Sequence, residues 1–137
     1  MRESGHQPST AGGVMSPVKS VPAGTSVEDA MHKMREWDVS YLLVEPEGEK
    51  DWGIMTKRDV ITKIVGANKS THSSTVDEIA SRPLITAPAE ASLRDVSLML
   101  SENSIRRVVV EAKGSPVGVV SDTDLFDIVE ELGWGAE

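Results

Sequence analysis

Two octets decide how this chain folds: Gly53-Ile54-Met55-Thr56-Lys57-Arg58-Asp59-Val60 and Gly118-Val119-Val120-Ser121-Asp122-Thr123-Asp124-Leu125. Each runs glycine, two apolar residues, a hydroxyl residue, two variable positions, aspartate and an apolar residue. The apolar pair suits the end of a buried strand. A hydroxyl followed three residues later by an acid marks a helix N-terminus, where the hydroxyl accepts from a free backbone N–H and the acid reaches back to the cap. Strand therefore passes directly into helix, twice in one chain of 137 residues.

Working outward, the repeat extends well beyond the octets. Upstream of the first lies Tyr41-Leu42-Leu43-Val44, and upstream of the second Val108-Val109-Val110; each run ends in a glutamate, Glu45 or Glu111, and reads as a buried strand. The turns Pro46-Glu47-Gly48 and Ala112-Lys113-Gly114 join these strands to Trp52-Gly53-Ile54-Met55 and Val117-Gly118-Val119-Val120 as hairpins. Further upstream, Ser26-Val27-Glu28-Asp29 and Ser92-Leu93-Arg94-Asp95 each open a helix with a capping box. Val27, Ala30, Met31 and Met34 line one helix face, and Leu93, Val96 and Leu100 its counterpart. Met15-Ser16-Pro17 leading to Val21-Pro22-Ala23 matches Ser81-Arg82-Pro83 leading to Ala87-Pro88-Ala89. The octets end in helices whose apolar residues are Val60, Ile61, Ile64 and Val65 in one, and Leu125, Phe126, Val129 and Leu132 in the other, with Gly66 and Gly133 at their C-termini. Each copy thus reads strand, helix, strand, strand, helix over about fifty residues. A unit that small leaves an apolar sheet face uncovered, so the expected fold is α+β, with two copies packed sheet to sheet about a pseudo-two-fold axis. The expected organisation is a flexible tail over 1–13, a first motif over 14–66, an exposed polar connector over 67–75, a second motif over 76–133 and a C-terminal tail over 134–137.

Composition narrows the function. A net charge of −8 opposes general affinity for nucleic acid or anionic membranes. Cysteine is absent, which removes thiolate metal clusters and cysteine nucleophiles and matches a reducing compartment. Residues 1–13 hold no apolar run, so neither a signal peptide nor an anchor is expected there and the cytoplasm is the expected location. His6, His32 and His72 have no metal-ligand spacing, and the chain has no nucleophile elbow, Walker loop or Gly-x-Gly-x-x-Gly turn. No metal, required cofactor or enzymatic activity is expected.

The tandem pattern, and above all the paired octets, closely resembles the CBS domain pair, or Bateman module, over about residues 14 to 133. The resemblance implies a regulatory module with clefts between its motifs for adenosine-containing ligands such as AMP, ADP, ATP or S-adenosylmethionine. It also implies dimers of pairs forming a flat disc. Carried over residue by residue, it places Thr56, Lys57, Arg58 and Asp59 in one site, completed by Leu84, Ile85, Ser104, Ile105, Arg106 and Arg107. Ser121, Thr123 and Asp124 form the second site with Lys19, Ser20, Val39, Ser40 and Tyr41. In this reading the aspartates accept the two ribose hydroxyls, and the hydroxyl residues with their free backbone N–H groups suit a phosphate. Lys57 and Arg58 make the Asp59 site the preferred one for an anion, whereas Asp122 makes the Asp124 site weaker or suited to a less anionic ligand.

Plainer readings stand beside these. Thr56 to Asp59 and Ser121 to Asp124 also serve as capping boxes, and capping is compatible with ligand contact. Arg106-Arg107 is either a phosphate clamp or solvated charge, and strand alternation lets only one of the two face a given side. Met31, Met34 and Met99 are spaced like core residues, and the acidic C-terminal helix reads as a solvated face. The closing helices carry more apolar residues than one core needs, so a homodimer is expected beside an unidentified regulated protein. The alternative function is a ligand-independent dimerisation or scaffold module.

Overall fold

A computed structural model describes residues 10–135 of the chain. In chain order the elements are helix α1 (Ala11–Val14), strand β1 (Ser20–Val21), helix α2 (Val27–Trp37), strands β2 (Tyr41–Val44) and β3 (Gly53–Thr56), and helix α3 (Lys57–Val60), which runs on as a π-helical turn, Ile61–Val65. Helix α4 (Val76–Ile79), strand β4 (Thr86–Pro88), helix α5 (Leu93–Asn103), strands β5 (Arg107–Ala112) and β6 (Ser115–Ser121), and helix α6 (Asp122–Leu132) complete the chain. They form two compact units, one spanning Lys19–Leu84 and the other built from the described residues on either side, 10–18 and 85–135.

In the first unit β1 pairs parallel with β2, and β2 antiparallel with β3. The parallel pair needs a crossover, which α2 supplies. Ser26 begins α2 by accepting from the Asp29 N–H at 3.0 Å, and Asp38, with φ 53°, ends it in the left-handed region. Val27, Ala30 and Met34 are buried as the helical spacing requires, and join Leu42, Val44, Met55, Val60 and Ile64 in one core. Met31, expected on the same face, is 40% exposed. Val60 and Ile64 point inward while Ile61 and Val65 are 60% and 63% exposed, so only half the apolar residues of that closing helix are used. Gly66 stays helical at φ −62°, and the left-handed turn expected of it falls on Asn68 at φ 54°.

The second unit repeats this plan, with β4 parallel to β5 and β5 antiparallel to β6. Ser92 caps α5 through the Asp95 N–H, and Ser104, at φ 53°, ends it as Asp38 ends α2. Val96, Val108, Val110 and Val120 are its buried centre. No residue of α6 is buried: Phe126 is 67% exposed, and with Leu125, Val129, Trp134, Leu93 and Leu100 it lines a groove of about 400 Å³ between α5 and α6.

The organisation differs from expectation in where each repeat's leading segment sits. Met15-Ser16-Pro17 precedes the first repeat, yet Ser16 exchanges backbone hydrogen bonds with Val119 of the second, both at 2.9 Å. The matching Ser81 exchanges bonds with Ile54 of the first repeat, at 2.9 and 3.1 Å. Each unit therefore carries the other repeat's lead. The tail expected over 1–13 is corrected accordingly: Ala11 is fully buried and donates to the Ala91 carbonyl at 2.9 Å, and Gly12 donates to Ala89 at 2.8 Å. Residues 1–9 of that tail, and 136–137 at the other end, lie outside the described residues. The connector is exposed over residues 67–70, but Ser74 is buried and its carbonyl accepts from Val27 at 2.9 Å.

The octet glycines sit where these leads pass. A Cβ on Gly118 would lie 2.6 Å from Met15 Cγ and 2.9 Å from its Cβ; one on Gly53 would meet Arg82 at 3.1 Å and the Ala80 Cβ at 3.2 Å. Asp77 fastens the lead in the first unit, pairing with Lys50 from the hairpin and with Arg82, whose Nε donates to the Asp51 carbonyl at 2.9 Å. The hydrogen bond from Lys50, aided by Arg82 and opposed by desolvation, holds the Asp77 carboxyl below the ordinary carboxylate value. Gly118→Ala is expected to destabilise the chain by about 1–3 kcal/mol, and Gly53→Ala by less, in urea unfolding. A depressed folded-state pKa gives stability that is present above the unfolded value and lost as pH falls through the folded one. Asp77→Asn is therefore expected to cost roughly 1 kcal/mol at neutral pH. That deficit shrinks below the ordinary carboxylate range, as unfolding followed across pH will measure.

Candidate functional site

The two octets place their hydroxyl and carboxylate groups in the same way, at the point where a strand hands over to a helix. Thr56 accepts from the Asp59 N–H at 3.2 Å, while Asp59 Oδ2 accepts from the Thr56 N–H at 2.8 Å and from the Thr56 hydroxyl at 3.0 Å. Ser121 accepts from the Asp124 N–H at 3.0 Å, and Asp124 Oδ2 accepts from the Ser121 N–H at 2.9 Å. Both boxes are complete and both aspartates are half-buried. The structural role thus consumes one carboxylate oxygen in each repeat and leaves the other, Oδ1, pointing elsewhere. A carboxylate has acceptor capacity for about four hydrogen bonds, so capping does not exhaust it.

The Oδ1 atoms have different neighbours. Asp59 Oδ1 is paired with Lys63 Nζ at 3.2 Å, and the same ammonium donates to the Ile79 carbonyl of α4 at 3.0 Å. Asp124 Oδ1 has no hydrogen bond or ion pair among the described residues, and Ile128 occupies the position matching Lys63. Sequence reading passed over Lys63, although an acid followed four residues later by a lysine on a helix is a recognisable pair.

Of the expected site residues, Lys57 and Arg58 are exposed on the first turn of α3. Val39, Ser40 and Tyr41 lie in the same unit as Asp59: the Ser40 carbonyl accepts from the Lys57 N–H at 3.1 Å, and Tyr41 is the register partner of Thr56. Lys19 donates its N–H to the Tyr41 hydroxyl at 3.3 Å and sets its ammonium 5.5 Å from the Trp37 ring, on which Lys33 also bears at 5.3 Å. Ser20 donates to Glu45 at 2.9 Å. In the second unit the equivalent arrangement brings Arg106 and Arg107 beside the Asp124 octet: the Arg106 carbonyl accepts from the Asp122 N–H at 2.9 Å, its Nε pairs with Asp122 at 3.4 Å, and Arg107 is the register partner of Ser121. Thr123 is exposed, with its N–H donating to Asp122 Oδ1 at 2.8 Å. Ser104 is exposed at the helix end, Ile105 packs on the second core, and Ile85 accepts from the Val109 N–H at 3.1 Å. Leu84 is half-buried at the end of the first unit. Within a single unit, then, each octet meets residues that the resemblance had assigned to the other site.

Comparison with known proteins agrees with this architecture. The family model of the CBS domain matches residues 11–66 and 76–131, and the chain belongs to the CBS domain family as a tandem pair. CBS domain pairs are generally regulatory. An uncharacterised protein of Methanopyrus kandleri is 29% identical over 108 residues, which span 78% of this chain and 55% of that one. Hypoxic response protein 1 of Mycobacterium tuberculosis is 28% identical over 96 residues, 70% of this chain and 67% of that one. Among solved structures, the hexameric CBS-CP12 protein from bloom-forming cyanobacteria superposes with a TM-score of 0.79 at 27% identity, covering 90% of this chain and 74% of that one. A CBS domain pair in complex with 5′-methylthioadenosine and S-adenosyl-L-methionine superposes with a TM-score of 0.78 at 25% identity, covering 90% and 97%. Among the described residues no helix is long and apolar enough to cross a membrane, and no cluster of histidine and acidic side chains could hold a metal ion.

Because Thr56 holds three hydrogen bonds of its box, Thr56→Ala is expected to lower stability by about 0.5–2 kcal/mol while Thr56→Ser retains most of it, as urea unfolding will measure.

Proposed function

We propose that this chain is a regulatory module that binds an adenosine nucleotide and passes the signal to a partner protein through its conformation or its dimer state. The observation that carries the reading is the pair of equivalent half-buried carboxylates, each oriented by its own capping box through Oδ2, with Oδ1 facing only Lys63 in one repeat and without a partner among the described residues in the other. Such preorganisation lowers the ordering cost of binding. Likeness to a CBS domain pair holding two adenosine-containing ligands supports the same chemistry here. AMP, ADP or ATP is the proposed ligand of the Asp59 site, whose octet offers Lys57 and Arg58 to a phosphate; the other octet offers no cation of its own, and its Asp122 is paired with Arg106. The module acts in the cytoplasm, and ligand binding rather than catalysis is its function.

A second reading, ligand-independent dimerisation, is favoured by the apolar groove at α6 with its exposed Phe126 and Trp134. The two separate experimentally. A ligand that binds only the folded state raises the melting temperature with concentration. A thermal-shift panel of AMP, ADP, ATP, NAD and S-adenosylmethionine is expected to give such a rise with at least one nucleotide. Asp59→Asn should weaken that binding by about tenfold or more, the loss of one charge-assisted hydrogen bond. No rise with any member of the panel, together with a dimer by light scattering, would favour the scaffold reading.

A further inference from the structure

Lys63 gives the Asp59 octet a feature that its duplicate lacks. Its ammonium is held by two fixed acceptors, Asp59 Oδ1 at 3.2 Å and the Ile79 carbonyl at 3.0 Å, and its side chain remains 43% exposed. Asp59 is consequently engaged at both oxygens before any ligand arrives, at Oδ2 by Thr56 and at Oδ1 by Lys63. A ribose diol that takes Oδ1 must compete with a charge for it. An uncharged nucleoside offers that charge nothing in return, whereas a phosphorylated one gives the displaced ammonium a new anionic partner.

We propose that Lys63 is the selectivity residue of the Asp59 site, a clasp that discourages uncharged nucleosides and admits those carrying a phosphate. The proposal rests on the nucleotide-binding reading of that site. Asp124, with Oδ1 unengaged among the described residues and Ile128 in place of the lysine, has no such clasp and accepts a diol without regard to what the ligand carries at its 5′ end. The difference between the two sites is therefore one of selection as well as strength. The carbonyl of Ile79 matters because it keeps the ammonium close to Asp59 while the carboxylate changes partners.

The test uses calorimetric titration of the full chain with AMP and with adenosine, on the wild type, Lys63→Met, Lys63→Gln and Lys63→Arg. The glutamine keeps a donor for the Ile79 carbonyl without the charge, so it reports on selectivity even if the methionine variant folds poorly. Removing the charge is expected to weaken AMP and to leave adenosine unchanged or tighter, so that the AMP-to-adenosine affinity ratio falls about tenfold or more. Lys63→Arg keeps the ratio within about twofold. A merely structural lysine would weaken both ligands together, and an unchanged ratio in both neutral variants overturns the proposal while leaving the site intact. Asp59→Asn separates the two levels: if that variant binds both ligands as the wild type does, or if the wild type binds neither, the site reading falls and the clasp with it.

Discussion

The close approach of an extended lead segment to a strand glycine is the constraint on which the fold of both units depends. At Gly118 the space a Cβ would fill is already taken by Met15, and at Gly53 it is bounded by Ala80 and Arg82. Without that room the two-bond bridges, Ser16 with Val119 and Ser81 with Ile54, could not form at their observed distances. The strands these glycines belong to end at Thr56 and Ser121, so the position of each capping box follows from the seating of the lead. A glycine that looks like part of a ligand signature thus has a sufficient steric reason of its own.

In each octet a single aspartate has two oxygens with separate surroundings. Its backbone-facing oxygen closes the helix N-terminus, and its second oxygen is left to the surroundings, which the two repeats have filled differently. Burial of the box in part shields those hydrogen bonds from water, so the carboxylate is held in one orientation. Duplication supplied two equal frameworks, and the side chains one turn further along their helices made them unequal.

Much of this was legible in the sequence because the octets impose their geometry locally. Strand and cap follow from the run Gly-apolar-apolar-hydroxyl-x-x-Asp, and the caps Ser26 and Ser92 and most of the inward faces of α2 and α5 follow from their own spacing, whereas Thr75, read as connector, caps the short helix α4. What was not legible depends on tertiary placement. Thr10 to Gly13 resemble a linker in composition, since two glycines and an alanine carry no apolar signal, yet Ala11 and Gly12 are small because Ala89 and Ala91 come close. Ser74 reads as polar connector until its carbonyl is seen to close the start of α2. The apolar spacing of α6 suggests a buried face, but Phe126 and Leu132 are exposed, because periodicity identifies an apolar stripe without saying what covers it. For the candidate site, the sequence located the two capping carboxylates, Asp59 and Asp124, but gave no sign that the Arg106 side chain pairs with Asp122, which the hairpin brings beside it.

The exchange of leading segments also bears on how such a chain can be cut. A gene fragment ending after the first closing helix encodes β1 to the π-helical turn but lacks Val76, Ile79 and Ala80, which complete that unit's core from beyond the connector. A fragment beginning at β4 likewise lacks Ala11 and Met15. A single repeat therefore lacks part of its own core, and the boundaries of the compact units are not the ends of the repeats: the first unit runs from Lys19 through Leu84, carrying with it the beginning of what the sequence alone would assign to its neighbour.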